Sequence, residues 1–200
     1  MAEAVKYYQS FFTDGLTITL DAGADITNPD YQAFASFTSN GPRSDSAPKP
    51  DITAPGVSIL SAAVGTGTEG LLLSGTSMAA PHTAGIAILM RQAQPTWTPL
   101  QIKAAMMSTA DPEGVAGFTP LRGGTGMVDA PAAIETVAFL STPDGRHNLA
   151  FGFRQLTGSY VAARSITINN KSGQAITYDL TADTSYSSEG IEPEVTISPA

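Results

Sequence analysis

The longest apolar stretch of the chain predicts a helix that is buried on most of its surface. It runs from Ser77 to about Gln94 and carries apolar or small side chains on nearly every face. Pro95 follows directly, and proline cannot continue a helix. A second helix is predicted from Thr98, which offers a capping hydroxyl, to about Thr109.

Shorter apolar runs predict strands on the N-terminal side of these helices. Val57–Leu60 and Leu71–Ser74 have the length and composition of short buried strands. A third helix is predicted after Asp129, ending at about Leu140. A helix that is apolar all round, flanked by buried strands, is typical of the α/β class, in which a central helix packs against a parallel sheet.

The pattern changes after a turn at residues 142–145, where apolar and polar residues begin to alternate with a period of two. Three strands are predicted in this region, with a loop at 169–173 between the first and the second: Ser159–Ile168, Ala175–Thr181 and Glu194–Ile197. A β-sandwich needs about seven strands. Residues 148–200 are therefore expected to be only the beginning of a β domain.

The N-terminal segment has a pattern of its own. Residues 2–12 predict a helix, Asp14-Gly15 predicts a turn, and residues 16–20 alternate as in a strand. Lys6 is followed by Tyr7 rather than by an apolar core, so these residues do not resemble a signal peptide.

Composition narrows the range of functions. The net charge of −8, with only 10 Lys and Arg in 200 residues, argues against a nucleic-acid partner. No apolar run is long enough to predict a membrane span. The chain has no cysteine, which excludes a disulfide or a cysteine nucleophile. Asp21, Asp25 and Asp30 match no calcium-loop spacing, and we predict neither a metal nor a cofactor.

The start of the first helix carries the candidate chemistry. Ser77 lies where a loop becomes a helix, and Gly75 leaves room for a substrate to approach the backbone. Thr76 or Ser77 is expected to cap the helix. The first N–H groups of a helix lack internal partners and lie at the positive end of its dipole, so they can stabilise an oxyanion. Pro81 has no N–H to donate to the carbonyl of Ser77.

This stretch resembles the serine motif of the subtilisin-like serine proteases, the subtilases of peptidase family S8. The residues that match the motif at its spacing are Gly75, Thr76, Ser77, Met78, Ala79, Pro81, His82 and Gly85. Three further stretches resemble segments that flank the motif in the family: residues 37–42, 49–57 and 124–130.

The resemblance implies a domain organisation. Residues 28–141 would be the C-terminal part of a doubly wound, parallel-sheet catalytic domain, and residues 148–200 the start of a fibronectin-III-like β-sandwich. Residues 1–27 have the character of the end of a protease-associated insert. The alternative for this segment is peripheral structure of the protease domain itself.

The resemblance also implies residue roles. Ser77 would be the nucleophile, with Ser74, Gly75, Thr76 and Met78 forming the oxyanion and substrate-binding surface beside it. The triad of the family runs in the order Asp, His, Ser along the chain, but the sequence before Ser77 contains no histidine.

The two histidines of the chain are poor candidates for the missing base. His82 lies five residues along a helix from Ser77, which turns its side chain by roughly 140° and raises it about 7.5 Å. A packed, hydrogen-bonded ring is expected there, and a solvated interdomain side chain is expected for His147. The asparagine that supplies an oxyanion donor in the family cannot be placed, since only Asn28 and Asn40 lie upstream.

Two functional hypotheses follow. In the first, the complete parent is an extracellular serine endopeptidase that cleaves polypeptides through Ser77, and its triad His and Asp belong to a missing N-terminal half of the same domain. A secretion signal would then also lie outside this chain. The isolated chain would be inactive. In the second, the chain is a truncated, non-catalytic interaction or structural module.

Overall fold

The computed structural model describes residues 28, 30–145, 147–152, 155–185 and 193–198. The helix, turn and strand predicted within residues 2–20 lie outside these ranges, as do Asp21 and Asp25. The elements are, in chain order, β1 (Ile59–Ala62), β2 (Gly70–Leu73), α1 (Thr76–Ala93), α2 (Pro99–Ser108), α3 (Pro120–Gly123), α4 (Ala130–Glu135), β3 (Ala138–Ser141) and β4 (Thr167–Asn170).

Helix α1 forms where the apolar stretch predicts it, and Pro81 is accommodated near its start. The predicted cap is wrong, because Thr76 and Ser77 are already helical. The N-cap residue is Gly75, which has no side chain to offer. At the other end, the N–H of Gln94 donates to the carbonyl of Met90 before Pro95 stops the helix.

Helix α2 is confirmed together with its cap. Thr98 and Gln101 form a capping box, in which each side chain accepts a hydrogen bond from the backbone N–H of the other. The nitrogen–oxygen distances are 3.3 Å to Thr98 Oγ1 and 2.8 Å to Gln101 Oε1. This box satisfies two N–H groups that a helix start otherwise leaves without partners.

The core lies where α1, α2, α4 and β3 meet. Trp97 and Phe139 pack edge to face at its centre, with ring centroids 5.3 Å apart. Ser108 at the end of α2 ties the helix to β3, because its hydroxyl accepts the N–H of Leu140 at 3.0 Å. The buried residues of this cluster are Met90, Trp97, Ile102, Ala104, Ala105, Met106, Ala133 and Phe139.

The two strands before α1 form an antiparallel hairpin, with Ile59 opposite Leu73 and Ala62 opposite Gly70. Their predicted burial is wrong, since Leu60 is 68% exposed and Leu72 is 58% exposed. The apolar composition of these strands is that of an interior sheet. They are exposed because the described part of the chain provides no layer to cover them.

The third predicted helix is shorter than expected. It ends at Glu135, and Thr136 adopts extended backbone dihedrals. The following residues become β3 because they pair with β4, from Ala138 opposite Asn170 to Ser141 opposite Thr167. This pairing joins the two sides of the predicted turn at 142–145, where the N–H of Gly145 donates to the carbonyl of Thr142.

The alternating pattern of the C-terminal region yields little paired strand in the described residues. Of the first predicted strand only Thr167 and Ile168 are paired, in β4. The predicted start of the loop at 169 is wrong, because β4 continues through Asn170. The segments 175–181 and 194–197 form no strand. Extended backbone needs a neighbour for its N–H and C=O groups. These segments find none within the described ranges.

The segments 49–57 and 124–130 lie side by side. Thr53 is bridged in parallel to Met127, which is bridged in turn to Asp111. Gly126 permits this approach: its φ is +121°, and a Cβ there would lie 2.4 Å from the carbonyl carbon of Asp111. The described residues thus mix helices and strands as the α/β class does. Parallel pairing within them is limited to single bridges such as this one.

Candidate active site

Ser77 is the second residue of α1, and its side chain is exposed. Two contacts hold the loop before it. The N–H of Gly75 donates to the carbonyl of Gly56 at 2.7 Å, and the hydroxyl of Ser74 accepts the N–H of Ser58 at 2.8 Å. The residues just before Ser77 are therefore held against the segment that precedes β1.

Some backbone N–H groups next to Ser77 make no hydrogen bond within the helix. The N–H groups of Met78 and Ala79 both point to the carbonyl of Gly75, at 2.9 and 3.4 Å. Those of Thr76 and Ser77 have no acceptor among the described residues. Both therefore remain available at the positive end of the helix dipole.

The packing beside Ser77 is tight on one side. Gly56 has no room for a side chain, because a Cβ there would lie 2.9 Å from the carbonyl oxygen of Gly75 and 3.3 Å from Cβ of Ala79. Met78 packs over the loop, with its sulfur 3.5 Å from the Cβ position of Gly75. Sequence reasoning placed Gly56 in a matching segment but gave it no role. Its only sequence signal is the Pro55-Gly56 pair, which lies 21 residues or more before Ser77 and indicates little without this contact.

His82 is engaged with its own helix, as expected. Its Nδ1 lies 2.9 Å from the carbonyl oxygen of Met78. Since a carbonyl can only accept, Nδ1 carries the proton. The ring is thus fixed along α1 by the residue that follows Ser77, and the described contacts give it no hydrogen bond to the serine hydroxyl.

His147 lies among different elements and is not solvated as predicted, because both ring nitrogens are shielded from solvent. Its backbone N–H donates to the hydroxyl of Thr142 at 2.9 Å. Burial lowers the pKa of His147, and the ammonium of Lys103 lowers it further, against the opposing charges of Asp51 and Asp144. None of these neighbouring residues belongs to the serine motif, so His147 is not placed to act as the base for Ser77.

Neither upstream asparagine has a described contact with Ser77. Oδ1 of Asn28 accepts the N–H of Asp30 at 3.0 Å, closing a turn. Asn40 precedes Gly41, whose N–H donates to the carbonyl of Leu121 at 2.7 Å. Neither contact connects an amide side chain to Ser77. Among the described residues, no group of three His, Asp or Glu side chains is arranged to hold a metal ion.

None of the described helices combines the length and apolar character needed to cross a membrane.

Comparison with known proteins places these features in a family. Residues 5–153 match the Subtilase family. The chain is 36% identical over 173 residues to "Subtilisin-like protease SBT3" of Solanum lycopersicum, covering 74% of this chain and 23% of that protein. It is 49% identical over 122 residues to "Subtilisin-like protease SBT1.6" of Arabidopsis thaliana, covering 54% of this chain and 16% of that protein.

A further relative is the "CO(2)-response secreted protease" of Arabidopsis thaliana, which is 38% identical over 156 residues, or 67% of this chain and 20% of that protein. The chain thus spans 16% to 23% of the length of these three relatives.

Proposed function

The chain belongs to the subtilase family, and we propose that the complete protein is a serine endopeptidase that hydrolyses polypeptides through Ser77. The observation that carries the proposal is the geometry at the start of α1. Ser77 is exposed there, and its own N–H has no acceptor among the described residues. A hydroxyl and a free backbone donor at a helix N-terminus are two of the groups that acyl transfer requires, the nucleophile and an oxyanion donor.

Each group has a separate role in the reaction. The Ser77 oxygen attacks the carbonyl carbon of the scissile peptide bond as its proton passes to a base, and the negative charge that develops on the carbonyl oxygen is stabilised by the Ser77 N–H. The bond from that carbon to the peptide nitrogen then breaks, and the amine leaves with the proton. Water hydrolyses the acyl-enzyme, which releases the acid and restores Ser77. Thr76 supplies a further N–H or its hydroxyl. Ser74, Gly75 and Met78 form the adjoining surface on which the substrate lies. No metal or other cofactor is used.

The base and its orienting acid come from outside this chain. A serine hydroxyl is a weak nucleophile until a base removes its proton. Of the two histidines in the sequence, His82 is bonded to Met78, and the backbone of His147 is bonded to Thr142, away from the serine motif. We therefore assign both groups to the N-terminal half of the same catalytic domain. The isolated chain is inactive for this reason.

The lack of a base for Ser77 in this chain also supports the alternative hypothesis, in which the chain by itself is not catalytic. A chain without a base for its serine is a non-catalytic interaction or structural module. The two proposals agree on the isolated chain and differ on the complete protein, where only the first requires hydrolysis through Ser77.

The proposal extends to domain organisation and location. Residues 28–141 are the C-terminal part of a doubly wound parallel-sheet domain, residues 148–200 begin a fibronectin-III-like sandwich, and residues 1–27 end a protease-associated insert. The parallel bridge at Thr53 and Met127 supports the first of these assignments. An extracellular location is supported by the relative whose name calls it secreted.

Ser77→Ala in the complete protein tests the proposal. Loss of the nucleophile costs subtilisin about 10⁶-fold in kcat, and we expect a loss of that order here with the fold intact. Thr83→Ala is the matched control, because it removes a hydroxyl from the same helix that donates only to the carbonyl of Ala80, at 2.7 Å. Near-full hydrolysis of a chromogenic peptide by Ser77→Ala would overturn the assignment.

A further inference from the structure

Asn170 is the last residue of β4, at the point where the strand turns into an exposed loop. The ladder with the opposite segment ends just beyond it, because the N–H of Lys171 donates to the carbonyl of Val137 at 2.7 Å. The backbone of Asn170 is thus held by the sheet while its side chain faces solvent. Asn170 is therefore exposed at the surface of the described chain.

Asn170, Lys171 and Ser172 form an Asn-x-Ser sequence in which the middle residue is not proline. This is the acceptor sequence for N-linked glycans in secreted proteins. None of the four other asparagines in the sequence has Ser or Thr two positions later. The motif therefore occurs once, and it falls on an exposed turn.

The side chains of the motif are in contact. Oδ1 of Asn170 accepts hydrogen bonds from the N–H of Ser172 at 2.9 Å and from its hydroxyl at 2.7 Å. The amide nitrogen of Asn170 points the other way and donates to the carbonyl of Gln174 at 2.5 Å. Glycosylation replaces one of the two amide hydrogens, so one N–H donor remains on this nitrogen.

Asn169, the preceding residue, differs from Asn170 in exposure and in sequence context. Asn169 is half-buried, and its amide nitrogen donates to the hydroxyl of Ser141 at 2.7 Å on the neighbouring strand. The residue two positions after it is Lys171, which does not complete a motif. Asn169 and Asn170 thus differ in both sequence context and access.

We propose that Asn170 carries an N-linked oligosaccharide in the secreted protein. The donor is an oligosaccharide on a polyprenyl pyrophosphate. The amide nitrogen of Asn170 forms a bond to the anomeric carbon, the bond from that carbon to the pyrophosphate oxygen breaks, and the lipid pyrophosphate leaves with the electron pair. One amide proton is released, and nothing is oxidised or reduced. The step requires passage through the secretory pathway, which rests on the proposed extracellular location.

Peptide mapping of the full-length protein, secreted by a eukaryotic host, tests the site. Trypsin releases residues 165–171 as one peptide that contains both asparagines. After treatment with a peptide N-glycosidase in ¹⁸O water, fragmentation is expected to show labelled aspartate at position 170 and unchanged asparagine at position 169.

Two variants of one residue supply the control. Ser172→Ala is expected to abolish the glycan, and Ser172→Thr to keep it, while peptide hydrolysis remains the same in both. A secreted protein with an unmodified peptide, a protein that is not secreted, or a glycan that survives Ser172→Ala overturns the proposal. A glycan at position 169 overturns it as well. Peptide hydrolysis is measured separately from the glycan. A failure of the glycan assignment therefore leaves the assignment of Ser77 unaffected, and a failure of the Ser77 assignment leaves the glycan assignment unaffected.

Discussion

The position of Ser77, the proposed nucleophile, depends on Gly56, which lies 21 residues before it in sequence. Gly56 accepts the N–H of Gly75 at 2.7 Å, and this contact fixes the loop that leads into α1. A side chain at position 56 would meet backbone, which cannot move aside as a flexible side chain can. The loop would have to shift, and Ser77 with it.

Gly56→Ala in the complete protein is therefore expected to lower kcat/KM by about 10²-fold, since a displacement of about 1 Å at the reacting group has effects of that size. Gly158→Ala is the matched control, because nothing lies within 4 Å of its Cβ position. Steady-state hydrolysis of a peptide substrate provides the measurement. Equal values for the two variants would show that the contact does not position the serine.

Asp51 joins neighbouring parts of the molecule through its carboxylate and its backbone carbonyl. Its Oδ2 lies 2.5 Å from the ammonium of Lys49 and 3.0 Å from that of Lys103 on α2. Its backbone carbonyl accepts the N–H of Thr125 at 3.1 Å. Burial alone raises the pKa of Asp51, but the two lysines outweigh it and hold the pKa below its usual value of 3.8.

A depressed pKa means that the ion pairs stabilise the fold above the unfolded pKa and that this stability is lost as the pH falls through the folded value. Asp51→Asn in the complete protein is expected to cost about 1–3 kcal/mol near neutral pH and progressively less in acid. Thermal unfolding across this pH range measures the difference. Asp45→Asn, at an exposed pair with Arg43, is the control and should cost less than about 1 kcal/mol. A pH-independent difference for Asp51→Asn would contradict the account.

At the scale of the element, α2 is stabilised at its start by its own sequence. The capping box of Thr98 and Gln101 fixes the first turn, and the residues that follow bury Ile102 and Met106 in the core. The cap thereby sets the direction in which the helix enters the cluster.

Thr98→Ala should destabilise the complete protein by about 1 kcal/mol, because one N–H at the helix start loses its acceptor. Thr96→Ala changes an exposed threonine two residues earlier and is expected to have little effect. Hydrogen exchange of the first turn of α2 reports the change locally. Equal protection in the two variants would count against the cap.

The elements that could be predicted from sequence are those with local signals. Helix α1 has its apolar stretch and Pro95, and α2 has Thr98 as its cap. The end of α4 at Glu135 could not be predicted, because it depends on pairing between β3 and a strand some thirty residues later. Ser77 was identifiable from its motif, whereas the contact of Gly56 with Gly75 exists only in the folded chain.

At the scale of the whole molecule, the main feature is the exposure of apolar side chains on α1 and β2. Ile88 on α1 is 69% exposed and Leu89 is 48% exposed, although the helix has the composition of a buried one. Leu71, Leu72 and Leu73 on β2 are exposed as well. Exposed apolar side chains in this number are typical of surfaces that pack against another protein surface.

The isolated chain is therefore expected to bind a hydrophobic dye or to associate. Dye fluorescence and light scattering of the purified chain measure this. Leu72→Gln combined with Ile88→Gln should reduce both signals, and Leu156→Gln, at an exposed leucine outside α1 and β2, serves as the control. A monomeric, cooperatively unfolding chain with little dye binding would contradict the account.

The central claim is that Ser77 is the nucleophile of the complete protein, and covalent labelling tests it most directly. A fluorophosphonate probe reacts with a serine only when a base activates its hydroxyl. We predict that the complete protein carries the adduct on Ser77, that Ser77→Ala carries none, and that the isolated chain is not labelled because it lacks the base. An adduct on a different residue of the active protein, or an active protein that the probe does not label, would contradict the claim.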